Sequence, residues 1–111
     1  MSEQTQASAT PCAWLHYARP RPHWYLVPEA EKAALKSAWA AVAKAAQDAG
    51  AVHQGCFHIR GQHDFETVDI WMFASSQAAY GHWQALVEAR YPEYFAFSNG
   101  IGLELPGAGD A

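Results

Sequence analysis

The chain has 111 residues, half of them hydrophobic, and its formal net charge is −4. This length suits one domain with a core of its own, and the composition is that of a globular chain rather than a disordered one. Only seven residues are Lys or Arg, and they form no basic stripe, so the sequence excludes a surface built for nucleic acid.

The two cysteines, Cys12 and Cys56, are too few and too far apart for a disulfide framework or a zinc site. No apolar run approaches the ~18 residues needed to span a membrane. The polar first ten residues lack the basic-then-apolar order of a signal peptide. We therefore expect a cytoplasmic protein with no membrane partner. Its single domain should cover residues 11–105, between flexible tails at 1–10 and 106–111.

The first predicted element is a strand over residues 11–18, where large and polar side chains alternate. Three prolines break regular structure in the segment that follows, residues 19–28. That segment also carries Trp24 and Tyr25. Aromatic residues in a loop are typical of a segment that folds over an apolar surface, which is either a pocket mouth or a dimer interface.

The first helix is predicted to begin at Pro28 and to stop at Gly50. Its apolar stripe consists mostly of alanine, so the helix can approach the sheet closely while filling little volume. Trp39 is the large exception and should close one end of the core. The predicted stripe comprises Leu35, Ala38, Val42, Ala45 and Ala49.

Residues 51–74 have the pattern of a β-hairpin around a short turn in which Arg60 pairs with His63. This register would place Gln54 opposite Asp69, and it separates the polar from the apolar residues of the two strands. The apolar set is predicted to pack in the core and the polar set to face a partner subunit. The polar set is Gln54, Cys56, His58, Thr67, Asp69 and Trp71, and the apolar set is Gly55, Phe57, Ile59, Val68, Ile70 and Met72.

A second helix is predicted from about residue 75 to 91, capped by Ser75 or Ser76 and ended by Pro92. The last strand should cover residues 94–105. Two glycines in it, Gly100 and Gly102, predict a bulge or a close backbone approach.

The predicted element order is β-α-β-β-α-β, which is the ferredoxin-like α+β arrangement with two helices on one face of a four-stranded antiparallel sheet. The open face would hold Trp14, Val52, Trp71 and Phe73. Apolar residues there favour a homodimer in which two sheets pack face to face.

The junction FASSQAAYGHW leads into a second helix that carries a histidine. In these features, in element order and in length, residues 12 to about 105 resemble the dimeric α+β barrel superfamily. That superfamily includes antibiotic-biosynthesis monooxygenases, haem-degrading monooxygenases, muconolactone isomerases and cyclases of the olivetolic acid type. The resemblance implies a small pocket between helices and sheet. It also implies that His82 points into this pocket as a general base or a haem ligand.

Asp69 is the second catalytic candidate, because a carboxylate between Val68 and Ile70 needs a partner. Either His58 or His16 could supply one, and a His–Asp pair is a reasonable general base. A polar network inside the dimer interface would explain the same residues. Tyr80 should point away from His82. The remaining substrate-binding candidates are Trp71, Trp83, Trp24, Tyr25, Tyr80 and Arg90.

We therefore expect a homodimeric enzyme acting on a hydrophobic, aromatic or polyketide-like small molecule. The first hypothesis is monooxygenase-type chemistry without an organic cofactor, in which His82 acts as base. The alternatives are isomerisation or cyclisation in the same pocket, a non-catalytic binder of haem or a hydrophobic metabolite, and a dimeric scaffold. The sequence shows no histidine or cysteine cluster at metal-ligand spacing, so no metal site is predicted.

Overall fold

The computed structural model describes residues 10–61 and 64–105. Apart from Thr10, the two predicted tails lie outside the described residues. The elements in chain order are β1 (Cys12–Pro20), a 3-10 helix (Pro22–Leu26), α1 (Glu29–Asp48), β2 (Val52–His58), β3 (Thr67–Phe73), α2 (Ser76–Glu88), the short α3 (Tyr91–Tyr94) and β4 (Phe95–Leu103).

The four strands form one sheet in the order β2-β3-β1-β4, and every neighbouring pair is antiparallel. This order, with helices inserted after the first and third strands, is the ferredoxin-like α+β fold, so that prediction is confirmed. In the part of the chain that the structure describes, no helix is both long and apolar enough to cross a membrane.

The two faces of the sheet are the reverse of the prediction for β3. Trp14 of β1 is buried beneath the helices, and it lies opposite Trp71, while His16 lies opposite Asp69. Because residues that pair across a ladder share a face, Asp69 and Trp71 lie on the helix side. The predicted partner-facing position of this set is therefore wrong. Trp14 and Trp71 instead form the core beneath the helices, where Val42 and Ala46 of α1 pack against them.

The open face of the sheet carries the alternate residues of each strand, which point away from the helices. Its side chains are apolar, and apart from the buried Val68 they are only partly covered by their own neighbours. They include Leu15, Tyr17, Val68, Ile70 and Met72.

The hairpin register also differs from the prediction. His58 pairs with Thr67 rather than Phe65, and Cys56 pairs with Asp69 rather than Thr67. The cause is a longer connection. The Ile59 amide donates to the Glu66 carbonyl oxygen at 2.9 Å, and this pair lies at the base of the connection between the two strands. Gln62 and His63 lie outside the described residues.

A β-bulge interrupts β2 between His53 and Gly55. Gly55 has φ of +146°, a conformation that L side chains rarely adopt, and a Cβ there would lie 3.0 Å from the Phe57 ring. The bulge predicted at Gly100 and Gly102 is wrong, because the β1–β4 pairing runs without a shift.

The main helix, α1, packs through Leu35, Trp39, Val42 and Ala46, whereas Ala38 of the predicted stripe faces solvent. Trp39 Nε1 donates to the Ala89 carbonyl oxygen at 2.9 Å and so ties α1 to the end of α2.

At the start of α2 the Ser75 hydroxyl accepts from the Ala78 amide at 3.1 Å, which confirms the predicted cap. The predicted end is wrong. The helix stops at Glu88, Arg90 turns the chain with φ of +70°, and Pro92 lies in the first turn of α3. Proline is favoured at the first helical positions because its missing N–H would have no partner there.

Candidate functional site

The first candidate side chain is His82, which α2 directs toward the sheet. Only 8% of it is exposed, and its ring centroid lies 5.1 Å from Trp14, 5.0 Å from Trp71 and 5.3 Å from Phe73. Its Nδ1 is buried and has no hydrogen-bond partner among the described residues. Burial lowers the pKa of His82 to about 4, against the opposing influence of the Asp69 charge. The imidazole is therefore neutral at pH 7.

His82 lines a cavity of about 420 Å³ between α1 and α2. Among the described residues that line it, His82 carries the only ionisable side chain. The other walls are small and apolar, since alanine is much the commonest residue there. The lining comprises Ala41, Val42, Ala45, Ala46, Ala49, Ala51, Phe73, Ala74, Ala78, Gly81, His82 and Ala85. We call this space the His82 cavity.

The Asp69 carboxylate joins two neighbouring side chains. Its Oδ1 accepts from His53 Nε2 at 2.5 Å, and its Oδ2 accepts from Trp71 Nε1 at 3.1 Å. The Trp71 ring in turn stacks on His53 with centroids 4.5 Å apart and contacts His82. Asp69 therefore fixes the orientation of the tryptophan that packs against His82.

A second hydrogen-bonded set centres on His16. Its Nδ1 lies 2.6 Å from Asn99 Oδ1, and its Nε2 lies 2.9 Å from the Tyr91 hydroxyl. Burial lowers the pKa of His16 and raises the pKa of Tyr91, so both groups are neutral. A neutral imidazole carries one proton. Because an amide oxygen can only accept, that proton lies on Nδ1, and Nε2 accepts from the Tyr91 hydroxyl.

The structure brings together four of the residues proposed from the sequence. Asp69 bonds Trp71, Trp71 contacts His82, and Trp83 lies within ring-contact distance of Trp14. His58 is exposed near the end of β2 and is not part of this group.

The other proposed substrate-binding residues lie elsewhere. Trp24 packs in a second core cluster with Leu35 and Tyr94, and Tyr25 is exposed on the 3-10 helix. Arg90 forms an exposed ion pair with Glu93. Tyr80 is 64% exposed and lies outside the His82 cavity, on the other side of α2.

Sequence reasoning missed His53 as the partner of Asp69. The alternation of the strand places His53 on the face opposite Cys56 unless an extra residue is inserted between them. Gly55, a glycine inside a strand, was the available signal, since such glycines often mark a bulge. Tyr91 and Asn99 carried no signal, because only tertiary structure brings them to His16.

Among residues 10–61 and 64–105, no group of three His, Cys, Asp or Glu side chains is placed to hold a metal ion. No protein-family model matches the chain, and no curated protein matches it either.

A mutant chlorite dismutase from Candidatus Nitrospira defluvii, solved in complex with cyanide, has a similar structure, with a TM-score of 0.68 at 7% sequence identity. The match covers 99% of this chain and 47% of that one, so the chain spans about half of that protein's length. At such low identity the likeness concerns the fold alone. The chain is a ferredoxin-like α+β domain in which a buried neutral histidine lines an apolar cavity.

Proposed function

We propose that this protein is an enzyme that binds a hydrophobic small molecule in the His82 cavity and uses His82 as the proton acceptor. The observation that carries the proposal is the neutral, buried imidazole whose Nδ1 has no hydrogen-bond partner among the described residues. A buried polar atom without a hydrogen bond costs about 1–3 kcal/mol. A substrate that donates to this atom would recover that free energy.

The proposed step is removal of a proton from a weakly acidic C–H or O–H group of the substrate. Rotation of the His82 ring about its Cβ–Cγ bond would carry Nδ1 from its buried position to the cavity side. The low pKa belongs to the ring with the cavity empty, where the Asp69 charge only partly opposes the effect of burial, and a substrate anion beside the ring would favour the protonated imidazole. Among the described residues that line the cavity, no other side chain could take this proton.

Asp69 has a positioning role in this proposal. Its carboxylate holds Trp71 Nε1, and the Trp71 ring forms part of the packing around His82. Its negative charge also partly opposes the lowering of the His82 pKa. Loss of Asp69 should therefore weaken proton transfer without abolishing it.

Proton removal is common to two reaction types. In a monooxygenase-type reaction the substrate anion itself would reduce dioxygen, so the protein would need no organic cofactor. In an isomerase or cyclase the proton would return to another atom of the substrate. Monooxygenase-type chemistry is the first choice, and oxygen consumption separates it from the second.

Haem does not fit the His82 cavity. A neutral imidazole suits an axial iron ligand, but no Lys or Arg lies among the described residues that line the cavity, so the propionate groups would lack a cationic partner. Arg90, considered from the sequence, is occupied by Glu93 and Tyr94. Haem is therefore left out of the proposed function.

The experiment uses anthrone, an aromatic ketone with an acidic CH₂ group. Wild-type protein should accelerate exchange of these protons for deuterium, followed by proton NMR. His82→Gln should reduce the rate by about 10²-fold or more, since a positioned general base contributes about 10²–10⁴-fold. The exposed His58→Gln is the matched control and should keep the wild-type rate. Wild-type exchange in the His82→Gln protein would refute the assignment.

Oxygen uptake in the same mixture distinguishes the two reaction types. Uptake that depends on His82 supports monooxygenase-type chemistry, whereas exchange without uptake supports an isomerase or cyclase. A protein that binds anthrone but accelerates neither process would be a binder only.

We also propose that a second copy of this chain covers the open face of the sheet. The face is apolar from Leu15 through Ile70 to Met72, and such a surface is typical of an interface. Ile70→Glu should shift the protein to monomer in analytical ultracentrifugation. Val87→Glu, at an exposed apolar position on α2, should not. A wild-type monomer, or an Ile70→Glu dimer, would contradict the proposal.

A further inference from the structure

A second groove lies on the other side of α2, between this helix and β4. Its volume is about 540 Å³, and it shares no lining residue with the His82 cavity. Aromatic side chains form much of its wall, and Asn99 supplies an amide. The residues that shape it are Trp14, Tyr80, Trp83, Asn99 and Ile101. We call it the β4 groove.

The groove exists because the helices leave the second half of β4 uncovered. On the helix face of the sheet, Ile101 is 50% exposed although it lies directly opposite the buried Trp14. The Trp83 ring leans over this strand, with its centroid 4.5 Å from that of Phe97. A flat aromatic surface is therefore presented beside an uncovered strand.

Asn99 is held in one orientation by the protein. Its Oδ1 accepts from His16 Nδ1, whose ring is in turn fixed by the Tyr91 hydroxyl. The amide oxygen is thus used inside the molecule, and the amide Nδ2 remains as a donor for the groove. Because both His16 and Tyr91 are neutral, this chain of hydrogen bonds brings no net charge to the groove.

We propose that the β4 groove is a binding site for a planar aromatic molecule that carries a hydrogen-bond acceptor at its edge. The ring would stack on Trp83 and Tyr80, and the acceptor would receive a hydrogen bond from Asn99 Nδ2. Aromatic rings stack well on tryptophan and tyrosine without needing charge. The site does not depend on His82, so it stands independently of the reaction proposed above.

Quinoline and naphthalene provide a matched pair of probes, because they have the same shape and differ in one ring nitrogen that accepts a hydrogen bond. Binding would be followed at pH 7.5 by the indole N–H signals of Trp14 and Trp83 in ¹H–¹⁵N NMR spectra. Quinoline should bind about tenfold more tightly than naphthalene, as expected for one additional hydrogen bond.

Two variants test the site. Asn99→Asp keeps an acceptor for His16 but offers no donor, so it should remove the tenfold preference for quinoline. Ile101→Trp places a large side chain at an exposed position of the groove and should weaken both probes at least tenfold. Ala45→Leu partly fills the His82 cavity and should leave both affinities unchanged.

Three outcomes would overturn the proposal. The first is an undiminished preference for quinoline in the Asn99→Asp protein. The second is wild-type affinity for both probes in the Ile101→Trp protein. The third is loss of binding in the Ala45→Leu protein, which would assign the probes to the His82 cavity.

Discussion

His53 and Asp69 are hydrogen-bonded partners because of one extra residue in β2. Without the bulge at Gln54, the pairing of Cys56 with Asp69 would send His53 to the open face of the sheet. With it, His53 lies opposite Trp71 and its Nε2 reaches Asp69 Oδ1 at 2.5 Å. The local geometry of an edge strand therefore decides which histidine accompanies the carboxylate nearest to the candidate site.

Gly55→Ala should disturb this arrangement. The positive φ at this position is unfavourable for alanine, and the new Cβ would press on the Phe57 ring. We expect a loss of about 1–3 kcal/mol in the free energy of unfolding, measured by urea denaturation. Gly100→Ala is the matched control, because a Cβ there meets nothing within 4 Å. Equal stabilities of the two variants would argue against a strained bulge.

Removal of the Asp69 carboxylate should show how its hydrogen bonds to His53 and Trp71 contribute to the free energy of unfolding. Asp69→Leu leaves both His53 and Trp71 without this acceptor, and we expect the free energy of unfolding to fall by about 1–3 kcal/mol. Asp69→Asn retains an oxygen for Trp71 and should lose less. The exposed Asp48→Asn breaks only a surface ion pair with Lys44 and should change stability by less than about 0.5 kcal/mol. Urea denaturation would rank the three proteins. A reversed order would contradict the assigned contacts.

The pKa of His82 predicts how stability depends on pH. The folded protein protonates this ring only near pH 4, whereas the unfolded chain does so near 6.5. Between these values the unfolded state binds more protons, so the free energy of unfolding falls as the pH falls. From pH 7.5 to 5.0 the loss from this group should be about 2 kcal/mol.

His82→Leu should remove that part of the loss. The contribution of His16 would remain, because burial lowers the pKa of that ring too. His58→Leu, at an exposed position, should keep the wild-type dependence. Denaturant midpoints at the two pH values provide the measurement. A His82→Leu protein as acid-sensitive as the wild type would show that His82 is not buried as a neutral ring.

Ser75→Ala removes the cap of α2. The Ala78 amide then loses its acceptor, and we expect the free energy of unfolding to fall by about 1 kcal/mol. Ser76→Ala, one residue further on, should have less than about half that effect because its side chain is exposed and caps nothing. Thermal denaturation followed by circular dichroism would compare them. A larger effect of the Ser76 change would place the cap one residue later than the structure does.

Local signals in the sequence predicted the elements that depend on local chemistry. The order of strands and helices, the Ser75 cap and the extent of α1 were all predicted, because capping and helical periodicity are properties of neighbouring residues. The end of α2 was not predicted. It depends on a left-handed Arg90, and arginine seldom adopts that conformation.

The candidate site was predicted only in part. His82, Asp69 and Trp71 were named from the sequence, but on opposite faces of the sheet. The pairing of β3 with β1 decides the face, because Trp71 lies opposite Trp14 beneath the helices, and the length of the connection between Ile59 and Glu66 sets the hairpin register. Neither follows from alternation alone, since a shift of two residues preserves the pattern of polar and apolar positions.

The alanine-rich wall of α1 has a consequence for the size of the His82 cavity. Ala41, Ala45 and Ala49 follow one another along the helix at intervals of one turn, and all three line the His82 cavity. If a small molecule binds in the His82 cavity as proposed, larger side chains at these positions would shorten the accepted length stepwise along α1.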